Sequence, residues 1–147
     1  MPDAIHGDLQ FDVPPGFEQI PGERYLSFAG PAGSSLAVSG SALVGSGSGR
    51  ERTEALATMV ENGLAAIQGI LEEPGAVTTV PLTHRVLDGC EQWQLVVTLD
   101  GGTIFLGQLL AASRGGVLLA TLEGPNDGNT ARGFDAFIAG VRARSGA

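Results

Sequence analysis

Four apolar runs in the second half of the chain, separated by three glycine turns, restrict the fold more than anything else in it. "VTTVPLTHRVL" (77–87) ends at Asp88-Gly89 and "EQWQLVVTL" (91–99) at Asp100-Gly101-Gly102. "TIFLGQLLAAS" (103–113) ends at Arg114-Gly115-Gly116, and "VLLATLEG" (117–124) follows. Asp-Gly and Gly-Gly tolerate the positive φ of tight hairpin turns, so the pattern predicts an antiparallel meander of four strands. With Asp88 and Gly89 as the loop, Leu87 faces Cys90 and His84 faces Trp93. One face then carries Val80, Leu82, His84, Val86, Trp93, Leu95, Leu106 and Gln108. The other carries Val96, Phe105, Leu109, Leu118, Ala120 and Leu122. A sheet apolar on both sides needs cover on both sides.

Two helices are available to supply it. Leu56, Met59, Val60, Leu64, Ile67 and Leu71 recur at helical spacing from about residue 52 or 53, and Pro74-Gly75 ends that pattern. A second helix is expected from Asn129 or Thr130, capped by Asp127 or Asn129, with Phe134, Phe137, Ile138 and Val141 facing inward. Ahead of them, residues 5–13 read as one half-buried strand through Leu9, Phe11 and Val13. Pro14 and Pro15 give no amide hydrogen, and Gly16 accepts a positive φ, so that strand must stop there. "RYLSFAG" and "SSLAVSGSAL" read as a hairpin about Gly30-Pro31-Ala32-Gly33, with Leu26 and Phe28 opposed in side to Tyr25 and Ser27. The expected order is βββαββββα. This is an α+β fold: an antiparallel sheet of six to seven strands with helices on both faces. A length of 147 residues suits a single domain over 1–147.

Sixteen acidic residues stand against eight arginines and no lysine, a formal charge of -8. The missing lysine points to a GC-rich, bacterial gene. The arginines are scattered, so a phosphate-binding stripe is absent and nucleic acid is not an expected partner. A single cysteine, Cys90, has no intrachain disulfide partner. The opening "MPDAIHGDLQ" lacks a basic region followed by an apolar run, and no stretch reaches membrane-spanning length, so a cytoplasmic protein without membrane insertion is expected.

The residue patterns that could carry chemistry are weak. "VGSGSGRERTEAL" enters a helix, but it lacks the lysine and hydroxyl of a P-loop and is not G-x-G-x-x-G; it reads as a flexible link. Cys90 and His84 fall on opposite sides of the predicted hairpin, out of the hydrogen-bond reach that a nucleophile and its base need. His6, His84 and Cys90 show no metal-ligand spacing. "PNDGNT" reads as a turn and cap rather than a calcium loop. Neither catalytic residues, metal nor cofactor are expected, and the chain is read as a non-enzyme. Gln94 and Gln108 interrupt apolar runs. Gln94 is expected to face solvent, whereas Gln108 shares a face with Leu106 and Leu110, where its amide could bond an incoming backbone.

With "LQFDVPPGFE" at one end, "GQLLAASRGGVLLATLEG" at the other and a final amphipathic helix, the chain resembles the PsbP/Mog-like superfamily, and within it the bacterial DcrB-like branch. The resemblance rests on Pro14, Pro15, Gly16 and Phe17 closing the first strand, and on Gln108 within the meander. It covers nearly the whole length and implies binding rather than catalysis. The branch includes small dimeric chaperones that cradle apolar segments of type VI secretion effectors. By that likeness, Leu26, Phe28, Leu36, Val38 and Gln108 are expected on or near a partner-binding sheet surface. The implied partner is a secreted effector or toxin, with a homodimer as the implied assembly. An immunity-type inhibitor with an acidic blocking surface, and a small-molecule carrier with a cavity beneath a helix, are the alternative readings.

Overall fold

A computed structural model describes residues 3–6, 9–21, 26–42, 49–87 and 89–143. Among the described residues, two sheets, two α-helices and a short 3-10 turn at Pro31–Gly33 make up the α+β fold. The small sheet joins β1 (Asp3–His6), β2 (Leu9–Asp12) and β10 (Arg142–Ala143) in the order β1-β2-β10. The large sheet holds β3 (Glu18–Ile20), β4 (Leu26–Ala29), β5 (Ser35–Ala42), β6 (Val77–Leu87), β7 (Cys90–Leu99), β8 (Ile104–Ser113) and β9 (Gly116–Pro125). Its order is β3-β4-β5-β9-β8-β7-β6, with every pairing antiparallel. Helix α1 (Gly49–Leu71) precedes β6, and α2 (Gly128–Gly140) follows β9.

The expected meander is present as β6 to β9. Leu87 pairs with Cys90 and His84 with Trp93. Leu95 stands opposite Gln108, and Leu109 opposite Ala120. Because opposed residues share a face, the alternation holds through the last three strands. Helix α1 lays Leu56, Met59, Leu64 and Ile67 onto Leu95, Leu106 and Leu110. Helix α2 lays Phe134, Phe137 and Ile138 onto the opposite face, with Phe105, Leu109 and Leu122. One helix therefore covers each side. Phe11 of β2 shares the α2 side, edge-on to Phe137 at 5.4 Å and to Phe28 at 6.2 Å. Burying side chains of this size contributes about 1.5–3 kcal/mol each.

Three expectations need correction. The expected single strand over 5–13 is replaced by two, β1 and β2, in a sheet of their own, because Leu9 and Phe11 pair back onto residues 3–6 while Leu9 and Gln10 pair forward onto β10. Glu18–Ile20 forms a strand that the prolines before it concealed, pairing with β4. Val80 lies on the α2 face, not with Leu82 and His84. The ladder slips between Thr78 and Val80 and again between Val80 and Thr83, around Pro81. Each slip inserts one residue and inverts the side-chain side, so Val80, caught between them, is thrown across. The helix boundaries also move outward, to Gly49 and Gly128. Residues 44–48, more than half of the expected link, lie outside the described residues, as do Leu43, Tyr25 and Asp88.

A candidate binding edge and a pocket at the start of the last helix

The five residues expected at a partner surface do not share one face of the sheet, and four of them are buried. Phe28, Leu36 and Val38 are buried in the chain's own core with Phe11, Leu122 and Phe137, and Leu26 packs partly buried beside them. Gln108 lies on the other face, buried, its Nε2 donating to Thr121 Oγ1 while its Oε1 has no partner among the described residues. The physical reason is the small sheet. β2 joins α2 on that side and fills the space over β4 and β5 that a concave surface would need. Gln94 is half-buried rather than open to solvent.

Apolar surface is exposed elsewhere. β6 is the end strand of the large sheet, and among the described residues its outer edge meets no other strand. On it Val86 is 61% exposed, Val77 58%, Leu82 43% and Val80 42%. Beside them the His84 imidazole stacks on Trp93, with centroids 4.6 Å apart and planes 14° from parallel. His84 Nε2 also lies 3.8 Å from Glu91 Oε1. Cys90 is sealed into the α2 side, so thiol and imidazole lie on opposite faces as the hairpin register requires. Among the described residues, no cluster of three or more His, Cys, Asp or Glu could hold a metal ion.

Gln92 is a polar core residue that the sequence reading did not single out. It is buried, accepts at Oε1 from Arg85 Nε and Nη2 at 3.3 and 3.2 Å, and donates to the Val141 carbonyl at 3.4 Å. It ties the edge strand to the end of α2. Its role depends on a carbonyl 49 residues further along, which no local pattern announces.

A pocket of about 500 Å³ opens at the N-terminal end of α2. Phe17, Ser34, Thr130 and Gly133 lie within it, with Pro15, Pro31 and Ala32 on one side and Asn129, Arg132 and Ala136 on the other. The Pro-Pro-Gly-Phe segment thus does more than end a strand. Gly16 takes φ +87°, turning the chain so that Phe17 points inward. Gly30 then lets the Phe17 ring lie on it, since a Cβ there would come within 2.4 Å of the ring. Ser34 Oγ donates to the Pro31 carbonyl at 2.6 Å and holds the facing turn. Asp127 caps α2: its Oδ1 accepts from the Thr130 amide at 3.0 Å and from Thr130 Oγ1 at 3.2 Å. These bonds, chiefly the one from the Thr130 amide, hold the carboxyl below the ordinary aspartate value of 3.8, and the nearby Arg132 guanidinium adds to the effect.

Comparison with known proteins yields only a fold-level likeness. No family profile and no curated protein matches the chain. Among solved structures, that of LpqN, involved in cell envelope biogenesis of Mycobacterium tuberculosis, superposes with a TM-score of 0.60 at 15% sequence identity. The match covers 94% of this chain and 85% of LpqN. At that identity the likeness concerns the fold alone: this chain has a fold similar to that of LpqN.

Proposed function

We propose that the chain is a non-enzymatic protein-binding module of PsbP/Mog-like type, an adaptor or chaperone that covers an apolar segment of a secreted partner. One observation carries the reading: the free edge of the large sheet bears four large apolar side chains open to solvent. Sheet edges are ordinarily blunted by charge, by proline or by covering elements, because an open edge templates strand addition. Here Pro81 and the two slips interrupt the edge near its middle, yet Leu82 within the second slip and Val86 beyond it stay apolar and exposed. The segment bound is one that would otherwise aggregate before secretion, and it lies along β6 beside the stacked His84 and Trp93. A homodimer through the same strand would use the same surface.

The test uses Trp93, the only tryptophan of the chain, as reporter. An apolar strand-forming peptide of 11 residues, the length of β6, is diluted from organic solvent with and without the protein. The wild type is expected to suppress light scattering and shift Trp93 emission. Leu82→Lys with Val86→Lys is expected to lose both effects while keeping the urea midpoint. Equal protection by the double variant, or none by the wild type, refutes the reading. Sedimentation equilibrium on both proteins reports whether a second copy occupies the edge.

A further inference from the structure

The pocket at the start of α2 has a chemistry that the strand edge does not explain. Its volume falls in the range of about 300–1,000 Å³ usual for small-ligand sites. Its walls are rigid: Pro15 and Pro31 are rings, Phe17 is clamped on Gly30, and Ala32 and Ala136 have no rotamers to lose. Binding against such a preformed surface costs little ordering entropy and favours a flat, stiff body over a flexible one. Two charged groups, Asp127 and Arg132, belong to its lining. The Asp127 carboxylate has lone pairs beyond those used by Thr130, and Arg132 lies over Gly128 with Nη2 donating to Asn129 Oδ1.

This pairing is selective. A phosphate or carboxylate is disfavoured, because Asp127 already takes the helix-end donors and adds a negative charge. A bare hydrocarbon would use neither the spare lone pairs of Asp127 nor the remaining N–H donors of Arg132. A group that donates and accepts side by side satisfies both, and the carboxamide is the simplest such group. We propose that this pocket binds a small aromatic amide, its ring against Phe17 between Pro15 and Pro31, its N–H donating to Asp127 and its carbonyl accepting from Arg132.

The probe is N-acetyl-tryptophanamide, followed by titration calorimetry and by backbone amide shifts of the full chain. Binding to the wild type is expected to move the resonances of Phe17, Ala32 and Gly133. Ala136→Trp, an exposed helix position whose new ring fills the pocket, is expected to abolish it. Asp127→Asn keeps a good cap and is expected to weaken binding about tenfold, as loss of a charged acceptor does. N-acetyl-tryptophan, with a carboxylate in place of the amide, is expected to bind less tightly. Leu82→Lys with Val86→Lys is expected to leave this binding intact, because no residue of β6 lines the pocket, and so separates it from the edge reading. Absence of shifts at millimolar probe, or unchanged affinity in Ala136→Trp, overturns the proposal. Binding of an aromatic peptide but not of the free amide overturns it in favour of a protein ligand.

Discussion

Replacing Gln108 by leucine is expected to stabilise the protein. Gln108 is buried on the α1 side, and its one hydrogen bond runs to Thr121 across the β8–β9 pair. Its Oε1 is buried without a partner among the described residues, and turning the amide over only moves the deficit to the other end. An unpaired buried acceptor costs about 1–3 kcal/mol, whereas the bond to Thr121 contributes about 0.5–1.5 kcal/mol. Thr121 is half-exposed, so water can replace its lost partner. Leucine is close in volume and joins Leu95, Leu106 and Leu110. The balance favours the variant by about 1 kcal/mol, read as a rise of about 2–4 °C in Tm for a chain of this size. Urea unfolding followed by circular dichroism gives the free energy directly. Thr121→Val alone leaves the whole amide unpaired and is expected to destabilise; combined with Gln108→Leu it is expected to cost much less, a non-additive cycle. A loss of more than about 1 kcal/mol in Gln108→Leu at unchanged m-value refutes the reasoning, because the oxygen would then be satisfied in solution.

Two further outcomes test the packing and the cap. Gly107→Ala is expected to destabilise by about 1–3 kcal/mol, since a Cβ there would come within 2.8 Å of three Phe134 ring atoms; Phe134→Leu in the same chain is expected to recover part of the loss in urea unfolding. Asp127→Ala is expected to lower Tm at neutral pH and to make little difference in strong acid. Because the folded carboxyl titrates below 3.8, its stabilisation is complete above that value and disappears as the pH falls through the folded pKa; melting curves of both proteins from pH 6 to pH 2, which bracket about this range, check the convergence.

The meander was legible because its turns are spelled out locally: the Asp88-Gly89 dipeptide sets the register of His84 opposite Trp93 without reference to any tertiary contact. The amphipathic stripe of α1 and the cap at Asp127 were equally local. Val80 was not legible, since two single-residue slips around Pro81 leave no mark in the hydrophobic pattern. The burial of Phe28, Leu36 and Val38 was lost for a different reason. Period-two alternation identifies a buried face but not what covers it, and here the cover includes β2, folded back from the start of the chain. The pocket was the least accessible feature. Its walls come from Pro15, Pro31 and Arg132, and each contributing stretch is adequately explained as a turn or a cap when read alone.

The pairing of β2 with β10 sets the order in which the molecule can be completed. Gln10 stands opposite Arg142, and Asp12 reaches the Arg142 guanidinium at 3.3 Å. During synthesis the hairpins of β6 to β9 can close between near neighbours, whereas β2 must wait for residues made more than a hundred positions later. Until then Leu9 and Phe11 have no finished core to enter, and the nascent protein carries its own sticky segment beside an open platform. Closure at the last strand is therefore the step that turns a collection of hairpins into one cooperative body.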